Sequence, residues 1–276
     1  MAEFHVYAGA HGTLEYPDVR RISFSDLSEA LRAGVEDFME QPTHLIFIGI
    51  IYPLVGVVLA TWTSGANALP LLFPLASGFA LIGPIAAIGL YEISRRREQG
   101  LDVSWRDAFE VRRSAALPSI MAVGALLVAV FIAWLLVAQG LYTTLMGPEP
   151  PSSIAALMRE VLGTSEGWML ILLGNAIGLV FAVVALCTSI VAFPLLLDRD
   201  VGAWPAVQTS WRAAMANPVE IAAWGLIVAA LLLVGSIPIF AGLAVVVPIL
   251  GHSTWHLYRR IVEPAGMPRR RERAVG

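Results

Sequence analysis

Residues 119–142 read SIMAVGALLVAVFIAWLLVAQGLY, with no charged side chain and with Gln139 as the strongest polar group. A helix rises about 1.5 Å per residue, so a run of this length crosses a hydrocarbon layer roughly 30 Å thick. Runs of the same kind occupy residues 44–62, 69–91, 167–197, 218–236 and 239–258. Pro74 and Pro84 interrupt the second. Gly235-Ser236-Ile237-Pro238 divides the last two, because glycine loosens the helical ladder and proline breaks it. The pattern predicts an all-α polytopic membrane protein with six transmembrane helices.

Composition agrees with that class. The 276 residues are 57% hydrophobic and only 14% charged, whereas soluble domains carry roughly 25% charge. Disorder and an ordinary soluble globule are both excluded. A net charge of −3 argues against nucleic acid as a partner. The single cysteine allows neither an internal disulfide nor a cysteine-built metal cage.

Arginine placement sets the orientation, since the chain has no lysine. With the N-terminus in the cytoplasm, arginines 20, 21 and 32 precede span one, and six more lie between spans two and three. Arg199 and Arg212 lie between spans four and five, and six others follow span six. Only Arg159 falls on the far side, so positive charge stays with the two cytoplasmic termini. The first 43 residues are polar and acidic, without the basic start and apolar stretch of a cleavable signal. Span one is expected to serve as its own insertion signal. The chain thus divides into a polar segment 1–22, a membrane domain 23–262 and a basic tail 263–276.

Three cytoplasmic amphipathic helices are expected, one before each pair of spans. In the first, Leu27, Ala30, Leu31, Gly34, Val35, Phe38 and Met39 form an apolar stripe, with Asp26, Glu29, Arg32, Glu36, Asp37 and Glu40 opposite. Ser23 with Asp26, and Ser104 with Asp107 in the second segment, have the spacing of a capping pair. The third begins at Pro205, after Asp200-Val201-Gly202-Ala203-Trp204. Pro84 to Arg95 and Pro248 to Arg259 span the same eleven residues. Together these features read as a threefold helix-plus-hairpin repeat. The acidity of the first helix suggests docking onto the protein's own arginine-rich segments, with a solvated acidic face lacking any partner as the alternative.

Candidate sites gather where spans two and six end. Arg95, Arg96, Arg259 and Arg260 are candidate contacts for an anion or lipid headgroup. His252 and His256, four residues apart on one helix face, are candidate metal or haem ligands, with Glu92 as a third. The plain alternative is that Trp255, His256, Tyr258, Arg259 and Arg260 form an interfacial belt. In span four, Gly174-Asn175-Ala176-Ile177-Gly178 is a small-xxx-small pattern, expected to pack helices with an interhelical hydrogen bond from Asn175. No ionisable group lies mid-span, and no phosphate loop, His-Glu-x-x-His or Gly-x-Ser-x-Gly occurs. No catalytic residue and no cofactor are expected.

The stretches from Gly83-Pro84-Ile85 to Tyr91-Glu92-Ile93-Ser94-Arg95-Arg96, Phe193-Pro194-Leu195-Leu196-Leu197-Asp198-Arg199 and Gly251-His252-Ser253-Thr254-Trp255-His256-Leu257-Tyr258-Arg259 resemble a proteobacterial family of predicted integral membrane proteins. That family is catalogued as a domain of unknown function. The likeness runs over about residues 24–262. It implies a multi-pass protein of the bacterial inner membrane and brings no activity with it. The expected role is non-enzymatic, in membrane organisation, lipid interaction or complex assembly, with membrane lipids and other inner-membrane proteins as partners. The alternatives are a carrier or channel for a small neutral or anionic solute, and a haem or metal protein.

Overall fold

The first helix, α1 (Phe24–Glu40), starts where Asp26 Oδ2 accepts both the backbone N–H and the hydroxyl of Ser23, at 2.8 and 2.7 Å. A computed structural model of the chain describes residues 16–40, 69–238 and 241–264. The span expected at residues 44–62 lies outside the described residues, as do residues 1–15 and residues 265–276 of the tail. Among the described residues every regular element is helical. The sole β pairing there is an isolated bridge between Val19 and Val262.

The second apolar run forms a 3₁₀ turn at Leu69–Leu71, then α2 (Leu72–Ala86) and α3 (Ile88–Glu98), divided at Ala87. Helix α3 continues past Tyr91, the expected end, and carries Glu92, Ser94 and Arg95 to Arg97 along its surface. A 3₁₀ segment (Trp105–Arg113) follows, opened by the capping box of Ser104 and Asp107. Next come α4 (Leu117–Met146), with Pro118 in its first turn, and α5 (Ile154–Gly163), capped by Ser153. The fourth run divides into α6 (Ser165–Ser189) and α7 (Ala192–Asp198). The break at residues 190–191 has a direct cause, since the Pro194 ring clashes with the carbonyl four residues back, that of Ile190. Helices α8 (Ala203–Ala216), α9 (Pro218–Ser236) and α10 (Leu243–Ile261) complete the chain.

Among the described residues three helices are long and apolar enough to cross a membrane: Leu117–Met146, Ser165–Asp198 and Pro218–Ser236. Their sides stay largely uncovered; large apolar residues such as Leu136, Leu172, Leu179, Leu226 and Leu233 are exposed. The packed core lies elsewhere, where α1, α3, α7 and α10 meet. Phe193, Leu195, Leu196, Trp255, Leu257, Tyr258 and Ile261 are fully buried there. Each such side chain contributes about 1.5–3 kcal/mol by leaving water.

Helix α1 lies along α10, and the contact fixes its register. Leu27, Ala30, Gly34 and Asp37 face inward, whereas Val35 and Met39 of the expected stripe are exposed. The buried stripe is therefore rotated from the apolar one, and an acidic residue lies within it. Gly34 permits the approach: a Cβ there would stand 2.0 Å from Ser253 Oγ and 2.5 Å from Ser253 N. Ahead of α1, the Ile22 N–H donates to Asn217 Oδ1 at 2.8 Å, and Asn217 Nδ2 donates to the Arg20 carbonyl at 3.0 Å. The Arg20 N–H donates to the Ile261 carbonyl at 2.7 Å, and the Glu263 N–H to that of Asp18 at 3.1 Å. Residues 18–22 are thereby sewn to both the α8–α9 corner and the end of α10.

Gly34→Ala forces α1 away from backbone as well as side-chain atoms of α10, so a loss of about 2–3 kcal/mol is expected, in the range of core overpacking. Gly140→Ala, in an exposed helical position with nothing within 4 Å of the added Cβ, should be neutral or stabilising by up to about 1 kcal/mol. Thermal unfolding of both variants in the same detergent checks the contrast.

Candidate functional site

Asp37 of α1 stands where α3 and α10 converge, and it is 6% exposed. Its Oδ2 accepts the hydroxyl of Ser94 at 2.5 Å and Nε2–H of His256 at 2.9 Å. Its Oδ1 pairs with the Arg97 guanidinium at 2.9 Å. Ser94 Oγ, whose proton points to Asp37, is left to accept Nδ1–H of His252 at 2.8 Å. His252 then carries a bare Nε2, and this buried atom has no hydrogen-bond partner among the described residues. The result is one chain of bonds, His252 to Ser94 to Asp37 and His256 to Asp37, joining three helices through a single carboxylate. Such a chain polarises along its length and strengthens each bond in it.

Further ion pairs surround this centre. Arg97 also holds Glu40, and Arg260 holds Asp26 and Glu29, both at 2.8 Å, so acidic residues at both ends of α1 are met by arginines. Glu98 accepts Trp255 Nε1–H at 3.1 Å and pairs with Arg259 at 2.9 Å. Asp198 accepts the Tyr258 hydroxyl at 2.6 Å, and Arg199 reaches the Glu263 carbonyl.

The four arginines singled out as anion contacts therefore do not form one site. Arg95 takes both oxygens of Glu92 at 2.8 Å, and Arg96 bridges Glu92 and Asp107 at 2.8 and 2.9 Å. Arg259 and Arg260 lie on α10 with partners of their own. His252, His256 and Glu92 do not converge either. Glu92 turns to Arg95 and Arg96, and Asp37 takes the carboxylate position beside His256. Among the described residues no group of three or more His, Cys, Asp or Glu side chains is arranged for a metal ion. The expected belt is corrected as well. Trp255 and Tyr258 are buried between helices, and their polar tips are bound by Glu98 and Asp198.

In α6, Gly178 lets Trp134 of α4 approach, 3.1 Å from where a Cβ would stand, and Gly174 lies near Leu141 at 3.9 Å. Asn175 differs from expectation: it is exposed, and its Nδ2 donates to the Ile171 carbonyl of its own helix at 2.8 Å. One turn of α-helix supplies that acceptor, so no neighbouring helix is needed. Sequence reasoning missed Ser94, Arg97 and Asn217 as structural links, and it set Asp37 opposite the apolar stripe rather than within the buried one. The interruption of the α1 apolar stripe by an acid three residues after Gly34 was the available signal.

Burial by itself raises the pKa of Asp37, but the hydrogen bonds from His256 and Ser94 outweigh it and hold the carboxyl below its ordinary value of 3.8. Ser23 and Arg260 lower Asp26 in the same direction, against a smaller opposing effect of burial. A carboxyl whose folded pKa is depressed adds stability above its unfolded pKa and loses it as pH falls through the folded one.

Residues 72–198 match the model of a family described as predicted integral membrane protein (DUF2189). No curated protein and no solved structure matches the chain. The match and the three apolar helices agree on an integral membrane protein. The matched region holds Glu92, Ser94 and Arg95 to Arg97, whereas Asp37, His252 and His256 lie beyond it.

Two outcomes follow for the Asp37 centre. Arg97→Ala leaves Asp37 buried without its guanidinium and should cost about 2–4 kcal/mol, toward the low side of buried pairs because Arg97 is partly exposed. The unfolding midpoint of the unaltered protein in detergent should hold steady down to about pH 5 and fall below about pH 4, with a shallower fall in Asp37→Asn.

Proposed function

We propose that the chain is a six-span protein of the bacterial inner membrane, with both termini cytoplasmic, that acts without catalysis by gathering lipid and neighbouring membrane proteins around itself. The observation that carries this reading is the mismatch between its two parts. Its polar chemistry is spent internally, with Asp37, Glu92, Glu98 and Asp198 each bonded to side chains of the chain itself. Its spanning helices are the opposite. Only 28%, 11% and 17% of their most apolar windows are buried by the rest of the molecule, which leaves wide apolar faces for lipid or for other helices.

A groove of about 440 Å³ between α4 and α6, lined by Ala129, Val130, Ala133, Val180, Phe181 and Val184, supports a lipid-contacting role. The sidedness of the arginines supports the orientation. Support for a repeat comes from Pro118 and Pro218, which stand in the first turns of α4 and α9, each after a helical segment carrying exposed tryptophan: Trp105 in one, Trp204 and Trp211 in the other.

Extraction into native-lipid discs, followed by intact-mass analysis and cross-linking, tests the role. Retained lipid together with reproducible cross-links to membrane proteins is the expected result. A lipid-free chain without cross-links, or solute flux through the pure protein in vesicles, would overturn it.

A further inference from the structure

A second polar feature takes no part in the Asp37 centre. Between α3, the 3₁₀ segment and α7 opens a cleft of about 240 Å³. Its lining takes Glu92 and Arg95 from α3, Glu110, Val111 and Arg113 from the 3₁₀ segment with Ser114 just after it, and Leu197 from α7. Its charges pair across short distances: Arg95 with Glu92 at 2.8 Å, and Arg113 with Glu110 at 2.8 and 2.9 Å. Arg96, also on the lining, is balanced by Asp107 at 2.9 Å. The lining thus has three guanidinium groups and two carboxylates, and Asp107, outside the lining, supplies the third carboxylate through Arg96, so the paired charges cancel and leave little to attract a simple anion.

It does have two poles. Glu92 is deeply enclosed by Arg95 and Arg96, so the accessible carboxylate is Glu110, one-third exposed beside the well-exposed Arg113. Ser114 Oγ accepts the Ala116 N–H at 3.2 Å and keeps its own proton to donate. A ligand that brings a phosphate to Arg113 and Ser114 and a cation to Glu110 replaces the Arg113–Glu110 pair by contacts of the same sign pattern, while Arg95, still held by Glu92, adds its charge to the phosphate side. The cation must be able to donate hydrogen bonds. A quaternary ammonium is recognised by open aromatic faces, and the described residues lining the cleft include no aromatic side chain.

The cleft also stands at the depth of a headgroup. The spanning helix α4 starts at Leu117, three residues after Ser114, and the exposed Trp105 and Phe109 mark the adjoining segment as interfacial. We infer that the cleft between Arg95, Glu110, Arg113 and Ser114 binds the phosphate-and-primary-ammonium headgroup of a zwitterionic phospholipid. This rests on the lipid-contacting role proposed above and names the lipid class for it. The same headgroup chemistry also exists in water-soluble phosphodiesters, which the test separates.

The full chain in detergent is titrated with phosphatidylethanolamine, phosphatidylglycerol, phosphatidylcholine or glycerophosphoethanolamine, and bound species are counted by native mass spectrometry. Phosphatidylethanolamine should be retained over the other two lipids, and the soluble headgroup should not displace it. Glu110→Gln, a change at a partly exposed position, should weaken retention of phosphatidylethanolamine about tenfold, the loss of one charge-assisted hydrogen bond. The same variant should strengthen phosphatidylglycerol, because the cleft becomes net positive. Arg113→Gln should weaken both lipids. An unchanged lipid preference in Glu110→Gln overturns the cleft assignment while leaving the broader role intact, and displacement by glycerophosphoethanolamine overturns the lipid as its source. Retention of no lipid by the unaltered chain overturns both.

Discussion

One carboxylate holds the polar end of this molecule together. Asp37 sits in a stripe that α1 otherwise fills with leucine, alanine and glycine, and burying it is tolerable only because Arg97, Ser94 and His256 meet it. The geometry depends in turn on Gly34, which brings the α1 backbone against Ser253. A larger residue there would hold the carboxylate away from its partners. Packing and electrostatics thus act through adjacent turns of one helix, and neither works without the other.

The second constraint is the bilayer. Helices α4, α6 and α9 satisfy their backbone groups internally and expose apolar side chains, an arrangement that is stable in hydrocarbon and unstable in water. The ion-pair block caps these arms at one end. Charged residues that would be costly in the membrane are gathered there and neutralised by partners from distant parts of the chain, such as Arg260 with Asp26 and Arg259 with Glu98. Arginine suits this use, because its fork meets two carboxylate oxygens at once, as Arg95 does with Glu92.

Much of the scaffold was legible in the sequence. Residues 218–236 coincide with α9, and residues 119–142 fall inside α4, because long uncharged runs leave a helix few alternatives. The breaks were partly legible: α9 ends at Ser236, inside the turn at residues 235–238, whereas the run 167–197 read as one span is divided ahead of Pro194, and the division at Ala87 falls three residues past Pro84. Of the two readings that the acidity of α1 allowed, a solvated face and arginine partners within the chain, the second is the one found. What could not be read was which acid goes inside. Amphipathic periodicity averages over a face, so it set Asp37 with the other acids opposite the apolar stripe, and only the positions of Ser94, Arg97 and His256 on two other helices show why it is buried. Aromatic residues near arginines misled for a related reason. Composition alone does not distinguish an interfacial belt from a helix–helix contact, and Trp255 and Tyr258 make the contact.

Hydrogen–deuterium exchange of the full chain in lipid discs, read over residues 24–40, tests this account most directly. If α1 is clamped by Asp37 and Gly34 against α10, its amides from Leu27 to Asp37 should exchange as slowly as those of residues 250–258. Exchange within seconds, as in a free surface helix, would mean that α1 is not docked and that the Asp37 centre does not exist in the membrane.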